Sequence, residues 1–312
     1  LKTVKYNFKH KAVNTSYWGK LLFRTAVYIL LFDIAFVFLF PFIYMIVNSL
    51  KSPDDLIDIT VKLIPTSLYW KNYQIASSAL NYKMAFKNSI IITAFTVLGH
   101  IISCSFIAYG FARFKFPGKE FLFMIVIFSI IVPIQVLIFP YYIQFSRLEW
   151  LNTFLPLIIP TFFGFGLRGG LYIFIFRQFF VGLPHELEEA ALIDGCSTFR
   201  IYWNIIFPIS KSATLVSAVL AMVWHWNDSF EPGVYLNRMN LWPLPINIPF
   251  MYEILKAAGT EAVKEFLIDG EIIFNEGVVM AGTFIVVLPL LVVYFLLQRQ
   301  FMEGVERTGI VG

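Results

Sequence analysis

"ELEEAALIDGCSTFRIYWNIIFPIS", residues 186–210, places three glutamates in the first four positions of a helical pattern, stops at a glycine and ends on an aromatic run with a proline. Pro184 suits the first turn of that helix, and Glu186, Glu188 and Glu189 complement the positive end of its dipole. The pattern predicts a helix to about Asp194, with Gly195 free to take the left-handed conformation that ends it. Leu187, Ala190, Ala191 and Asp194 fall at three- and four-residue spacing and share one small, mildly apolar face. An isolated helix of about eleven residues is marginal in water, so this one has to dock, on the chain's own surface or on another protein. Catalysis is the poorest reading, because adjacent carboxylates on an exposed helix start have no apolar pocket and no oriented partner.

The surroundings of this stretch are apolar. Hydrophobic residues make up 58% of the 312-residue chain and charged ones 14%, with a mean hydropathy of +0.73, whereas a soluble domain carries about 25% charge. A helix needs about 20 apolar residues to cross a bilayer, and six such spans can be drawn: 21–50, 86–112, 121–146, 154–177, 211–230 and 277–298. The expected fold class is therefore an all-α integral membrane protein. The first span is long, carries Asp33 and breaks at Pro41. The polar first twenty residues, and a first apolar run too long for a signal peptide, predict a retained N-terminus.

Lysine and arginine set the orientation. With the N-terminus inside, segments 1–24, 113–120, 177–211 and 299–312 hold 14 basic and 7 acidic residues, against 9 and 12 in segments 51–87, 146–152 and 228–276. The positive-inside rule then puts both termini in the cytoplasm. The organisation is a basic tail (1–20), a transmembrane domain (21–298) and a second tail (299–312), with an inner loop at 182–208 and outer loops at 51–85 and 232–275. Cys104 and Cys196 have no evident pairing, and the formal charge of +4 needs no nucleic acid to explain it, since inner-face residues next to anionic lipid suffice.

Catalytic and cofactor motifs are not evident. His10, His100, His185 and His225 lack metal-ligand spacing and read as packing or interfacial residues. No G-x-x-x-x-G-K-[ST] loop is present, so no catalytic residue, metal or cofactor is assigned to this chain. Gly164, Gly166 and Gly169 satisfy G-x-G-x-x-G, but inside an apolar span and not after a strand. Gly166 and Gly170 form G-x-x-x-G, which predicts close helix packing in the fourth span.

A resemblance enters at the opening stretch. Glu189-Ala190-Ala191, Gly195, Ile205 and Pro208 resemble E-A-A-x3-G-x9-I-x-L-P, the EAA signature of ABC importer inner-membrane subunits, with Phe207 in place of Leu. "AYGFARFKFPGK" (108–119), "VPIQVLIFPYYI" (132–143), "LNTFLPLIIP" (151–160), "WHWNDSFEPGVYL" (224–236) and the tail "LLQRQFMEGVERTGIVG" are similar to carbohydrate-importing permeases of the maltose-transporter type. The resemblance implies the type I importer permease fold in a bacterial inner membrane. It also implies a second permease subunit, two ATPase subunits that bind ATP and Mg, and an extracytoplasmic solute-binding protein that delivers an oligosaccharide. By the same resemblance, Glu189, Ala190, Ala191, Asp194 and Gly195 form a coupling helix lodged in the ATPase, and Pro208 sets the angle into the fifth span.

Substrate signals are sparser. Arg168 precedes Arg177 by nine residues, about 13 Å along a helix, so an interfacial Arg177 leaves Arg168 near mid-membrane, where a charge has to be paired or wet. It either pairs with Asp33, snorkels, or faces the pathway and meets an acidic, uronate-containing sugar. Asn88, Gln135 and Tyr141 are candidates for hydrogen bonding in the pathway, and Trp224 or Trp226 for stacking on a sugar; packing is the competing role for each. In the outer loop, "LWPLPINIPF" (241–250) reads as extended and residues 251–270 as an amphipathic helix, as a lid or a docking surface for the binding protein. The rival functional classes are a secondary carrier driven by an ion gradient and a membrane scaffold. Neither needs an EAA helix, and a carrier calls for intramembrane acids and inverted repeats.

Overall fold

The computed structural model describes residues 17–166, 168–257, 267–268, 271–272 and 274–309. Three uninterrupted helices are long and apolar enough to cross a membrane: α1 (Tyr17–Ser49), α4 (Tyr82–Arg113) and the last helix, α16 (Glu276–Gly309). α16 continues past the expected boundary at 298, while residues 1–16 and 310–312 of the two expected tails lie outside the described residues. α1 is peripheral: 6% of its apolar window is buried, against 44% for α4. α4 packs against the helices at Gly169–Val181 and Lys211–Asn227, and α1 packs against α16.

The other spans are broken, which corrects the expectation of continuous helices. α5 (Lys119–Ile131) and α6 (Ile134–Arg147) meet at 100°. The bend lies at Val132 and Pro133: proline has no N–H to give, and it holds the residue before it extended, at φ −67° and ψ 119°. The fourth span consists of α7 (Leu155–Ile158), a 3₁₀ turn (Ile159–Phe163), a break, and α8 (Gly169–Val181). Gly164 and Gly166 adopt φ of +72° and +111° in that break, so the G-x-G-x-x-G pattern marks a discontinuity and not a helix interior. Gly170 alone keeps the packing role expected for G-x-x-x-G. A Cβ there would stand 2.5 Å from Ser129 Oγ and 2.7 Å from the Val126 carbonyl oxygen, so α8 lies directly on α5.

After α9 (Glu186–Ile193), the chain forms α10 (Thr198–Ile201), a π-helical turn (Tyr202–Ile206) and α11 (Phe207–Ile209), then bends by 76° into α12 (Lys211–Asn227).

The outer segments are short helices. α2 (Pro53–Ile57) and α3 (Lys71–Ala79) follow α1. Lys51 Nζ donates to the carbonyls of Val61 and Lys62, both at 2.9 Å. Asp55 accepts from the Thr66 hydroxyl and amide, and that hydroxyl above all holds its carboxyl below the usual range. Beyond α12 come α13 (Phe230–Tyr235), a 3₁₀ turn (Met239–Leu241), α14 (Leu244–Asn247), another 3₁₀ turn (Ile248–Phe250) and α15 (Met251–Ala257). Residues 241–250 are therefore not extended, since prolines occupy the first turns of α14 and of the 3₁₀ turn after it. The amphipathic helix expected over 251–270 is confirmed only to Ala257. Residues 258–266 lie outside the described ones, and β1 (Leu267–Ile268) pairs antiparallel with β2 (Glu271–Ile272).

Candidate functional site

Two regions carry chemistry, one on α9 and one where the broken spans meet. α9 follows the sequence pattern closely: it runs from Glu186 to Ile193, Asp194 closes it, and Gly195 takes φ +78°. Its N-cap is His185, so Pro184 stands outside the helix and not in its first turn. The expected docking face is only partly used. Ala191 is 5% exposed and joins the core cluster of Tyr109, Phe180 and Tyr202, whereas Leu187, Ala190 and Asp194 are exposed.

The carboxylate that anchors α9 is Glu188, a residue the sequence reading used only for its dipole charge. Arg113 Nε lies 2.8 Å from Glu188 Oε1, with side-chain exposures of 2% and 14%. Arg113 Nη2 also donates to the Leu183 carbonyl at 2.9 Å. The end of the second span thus clamps the inner loop, and Glu189 points away with an exposed side chain. Leu192 and Ile193, at 54% and 86% exposure, extend the open face. Pro208 lies in α11, two residues before the bend at Ser210.

The second region is a polar cavity of about 560 Å³ lined by the α5–α6 bend, the break before α8 and the end of α12. Among the expected pathway residues, Arg168, Gln135 and Tyr141 line it. Arg168 does not sit within a helix; it is the N-cap of α8 with φ +64°, and its guanidinium carbon stacks 4.2 Å from the centre of the Trp224 ring. Among the described residues no carboxylate forms an ion pair with it, Asp33 included. α8 also begins on this wall, so the positive end of its dipole adds to the charge of Arg168.

Asn88 and Trp226 do not reach the cavity. Asn88 Nδ2 donates to the carbonyls of Asn240 at 2.9 Å and Trp242 at 3.2 Å, tying α4 to the outer segment. Trp226 Nε1 donates to the Val286 carbonyl at 3.0 Å, and its ring faces an apolar pocket between α4, α12 and α16. Trp224, two positions earlier, is the tryptophan of the cavity.

The sequence reading missed Asp228 and Glu231, which face the same cavity. Asp228 Oδ1 accepts from the amides of Phe230 (2.9 Å) and Glu231 (3.3 Å), capping the start of α13. Glu231 is 8% exposed and its Oε1 has no hydrogen-bond partner. Their signal was the helix-start pattern D-x-F-E directly after an apolar span. His100 and His225, read as packing or interfacial residues, meet in the interior with Nε2 atoms 3.1 Å apart. One neutral ring has to donate and the other accept, so this contact ties α4 to α12.

Known proteins can be set beside this geometry. The family described as "Binding-protein-dependent transport system inner membrane component" matches residues 101–306. This chain belongs to that family. The matched stretch contains α9 with its EAA motif and the whole lining of the cavity. The permease is 34% identical to the probable starch degradation products transport system permease protein AmyC of Thermoanaerobacterium thermosulfurigenes, over 85% of this chain and 89% of that protein. It is 27% identical to the arabinooligosaccharides transport system permease protein AraQ of Halalkalibacterium halodurans, over 89% of this chain and 93% of that one. In fold it matches a chain from the crystal structure of a bacterial ABC transporter involved in the import of the acidic polysaccharide alginate. That match has a TM-score of 0.72 at 21% identity and covers 90% of this chain and 96% of that one. The permease is thus a multi-pass inner-membrane transport subunit of the ABC importer type, placed with binding-protein-dependent systems and not with ion-gradient carriers.

Proposed function

We propose that this permease is one of two membrane subunits of an ATP-driven importer of oligosaccharides, including ones that carry an acidic group. Two partner ATPases bind ATP and Mg and perform the hydrolysis, and an extracytoplasmic binding protein delivers the sugar. Both termini are cytoplasmic, in keeping with the excess of basic residues on that side. The names of the relatives AmyC and AraQ support carbohydrate as the cargo class.

α9 is read as the coupling helix. The observation that carries this reading is its division into two faces: Ala191 and Glu188 hold it to the permease while Glu189, Ala190, Leu192 and Ile193 remain open. The open face suits a cleft in the ATPase, where Ala190 permits close approach and Glu189 meets polar groups. Closure of the ATPases then moves α9, and through the Arg113 clamp the end of α4, as one body. ATP can bias the two membrane states only if α9 is contacted differently in each.

Arg168 is read as the contact for an acidic group on the sugar, with Gln135 and Tyr141 offering hydrogen bonds and Trp224 a stacking face. The test is uptake by the reconstituted full complex. Glu189→Lys is expected to release the ATPase on purification, and Arg168→Gln to lower uptake of an acidic trisaccharide selectively, relative to its neutral parent. Equal losses for both sugars would overturn the role of Arg168, and retention of the ATPase would overturn that of Glu189.

A further inference from the structure

Asp228 and Glu231 line the same cavity, yet their surroundings differ. Asp228 Oδ1 accepts from two amides at the start of α13, and donors of that kind favour the charged form of a carboxyl group. Glu231 has no such support. It is 8% exposed, its Oε1 has no hydrogen-bond partner, and among the described residues no cation forms an ion pair with it. Tyr141 on α6 and Tyr235 on α13 face it with uncharged phenols, while α7 and α14, which also pack on α13, carry no titratable side chain. Burial, and then the negative charge of Asp228, push the Glu231 carboxyl up to about 8. Asp228 therefore carries the charge of the pair, and Glu231 keeps its proton at neutral pH.

We infer that Glu231 acts in the sugar cavity as an uncharged carboxylic acid, and that the cavity accepts an anionic sugar only while this proton is held. This rests on the reading that the cavity is the sugar site, with Arg168 as the contact for the acidic group. With Glu231 neutral, Arg168 and the N-terminus of α8 are balanced against a single carboxylate that is already bonded to amides. Ionisation of Glu231 sets two carboxylates against one guanidinium in the same lining, and an incoming sugar carboxylate then meets a net negative cavity. Like charges brought together where water is scarce repel strongly. A neutral sugar brings no charge, and its hydroxyl groups bond to either form of Glu231, since the acid donates and accepts while the carboxylate accepts. Affinity for the anionic sugar is thus fully present below about pH 8 and is lost as the pH rises through that value, whereas affinity for the neutral sugar is kept. A ligand that binds only the protonated form loses affinity about tenfold at one pH unit above the pKa. Glu231 is in this way a specificity-determining residue that acts through its proton.

The test measures equilibrium binding to the purified full transporter, with the binding protein omitted, from about pH 6.5 to about pH 9. The probes are a neutral trisaccharide and the same trisaccharide with one uronic acid, whose carboxylate stays ionised throughout that range. In the wild type, affinity for the mono-uronate is expected to fall about tenfold across the range, and affinity for the neutral probe to change by less than about twofold. Glu231→Gln keeps an uncharged donor and acceptor at every pH. It is expected to bind the mono-uronate as the wild type does at the low end, and to hold that affinity to the high end. Asp228→Asn keeps a capping residue for α13 but removes the neighbouring charge, so it is expected to start the loss at lower pH, a shift that does not depend on Glu231→Gln folding. A mono-uronate affinity that stays flat in the wild type, or that falls equally in the wild type and in Glu231→Gln, overturns the role of Glu231. A loss at an unchanged pH in Asp228→Asn does so as well. The underlying reading is reported separately at the low end of the range, where Glu231 is neutral in the wild type: Arg168→Gln is expected to bring the mono-uronate down to the neutral probe. If the two probes bind equally there in the wild type, the acidic-sugar reading itself fails.

Discussion

At the scale of the residue, the inner loop distinguishes neighbouring glutamates that the sequence presents as equivalent. Glu188 and Glu189 both favour the α9 dipole, but Glu188 alone faces Arg113, in a pair whose side chains are 14% and 2% exposed. Removing one member leaves the other buried without its counter-charge, which costs about 3–5 kcal/mol, whereas replacing both with apolar groups of similar volume is often neutral. Glu188→Ala is therefore expected to destabilise the permease by about 3 kcal/mol, the low end of that range, because Arg113 keeps its bond to the Leu183 carbonyl. Glu189→Ala is expected to change stability by less than about 0.5 kcal/mol. Arg113→Met combined with Glu188→Leu is expected to recover most of the loss. Thermal unfolding of the purified subunit in detergent compares all three, and equal effects of Glu188→Ala and Glu189→Ala would contradict the clamp. The helix and its glycine stop were legible because caps and dipoles are local. The choice of glutamate was not, because Arg113 lies 75 positions away in sequence.

At the scale of the element, the broken spans separate what hydropathy reveals from what it hides. An apolar window registers that a segment is buried in lipid or protein, but not whether its backbone is continuous. The signals for the breaks were present as Pro133 and as Gly164 and Gly166; the glycines were read as lying inside an apolar helix, Gly166 with a packing role, and Pro133 was not read as a break, because a membrane helix tolerates both residue types. The correction matters for the site: the bend at Val132 and the break before Arg168 open the room that the cavity occupies. Gly166 tests the break with little interference from packing. Its φ is +111°, and a Cβ placed on it meets nothing closer than Thr161 Cγ2 at 3.4 Å. Gly166→Ala thus adds mainly backbone strain, expected at about 1–3 kcal/mol. Gly170→Leu adds the steric conflict with α5 and is expected to cost more. Unfolding midpoints of the two variants give the comparison, and a Gly166→Ala protein as stable as the wild type would mean that the fourth span is continuous.

At the scale of the whole molecule, the sum of weak signals outperformed any single one. Six apolar segments and a charge imbalance, each resting on composition over tens of residues, agreed on an oriented membrane protein, and the resemblance of the inner loop to the EAA signature added the transport role. The cavity was less legible, because it joins residues distant in sequence, such as Gln135, Arg168 and Glu231, and because an Asp and a Glu just past an apolar span read as an outer end. The orientation proposed from the distribution of Lys and Arg can be measured directly. Ser67 lies exposed between α2 and α3, and Ser197 lies exposed just after Gly195. If both termini are cytoplasmic, these positions face opposite sides of the membrane. In a Cys196→Ser background, a membrane-impermeant maleimide is expected to label Ser67→Cys in spheroplasts, and Ser197→Cys only after permeabilisation. The reverse pattern would place α9 outside, where no ATPase could reach it. The coupling role proposed for Glu189 would then fall together with the orientation, since the physical logic of that helix depends on the side it faces.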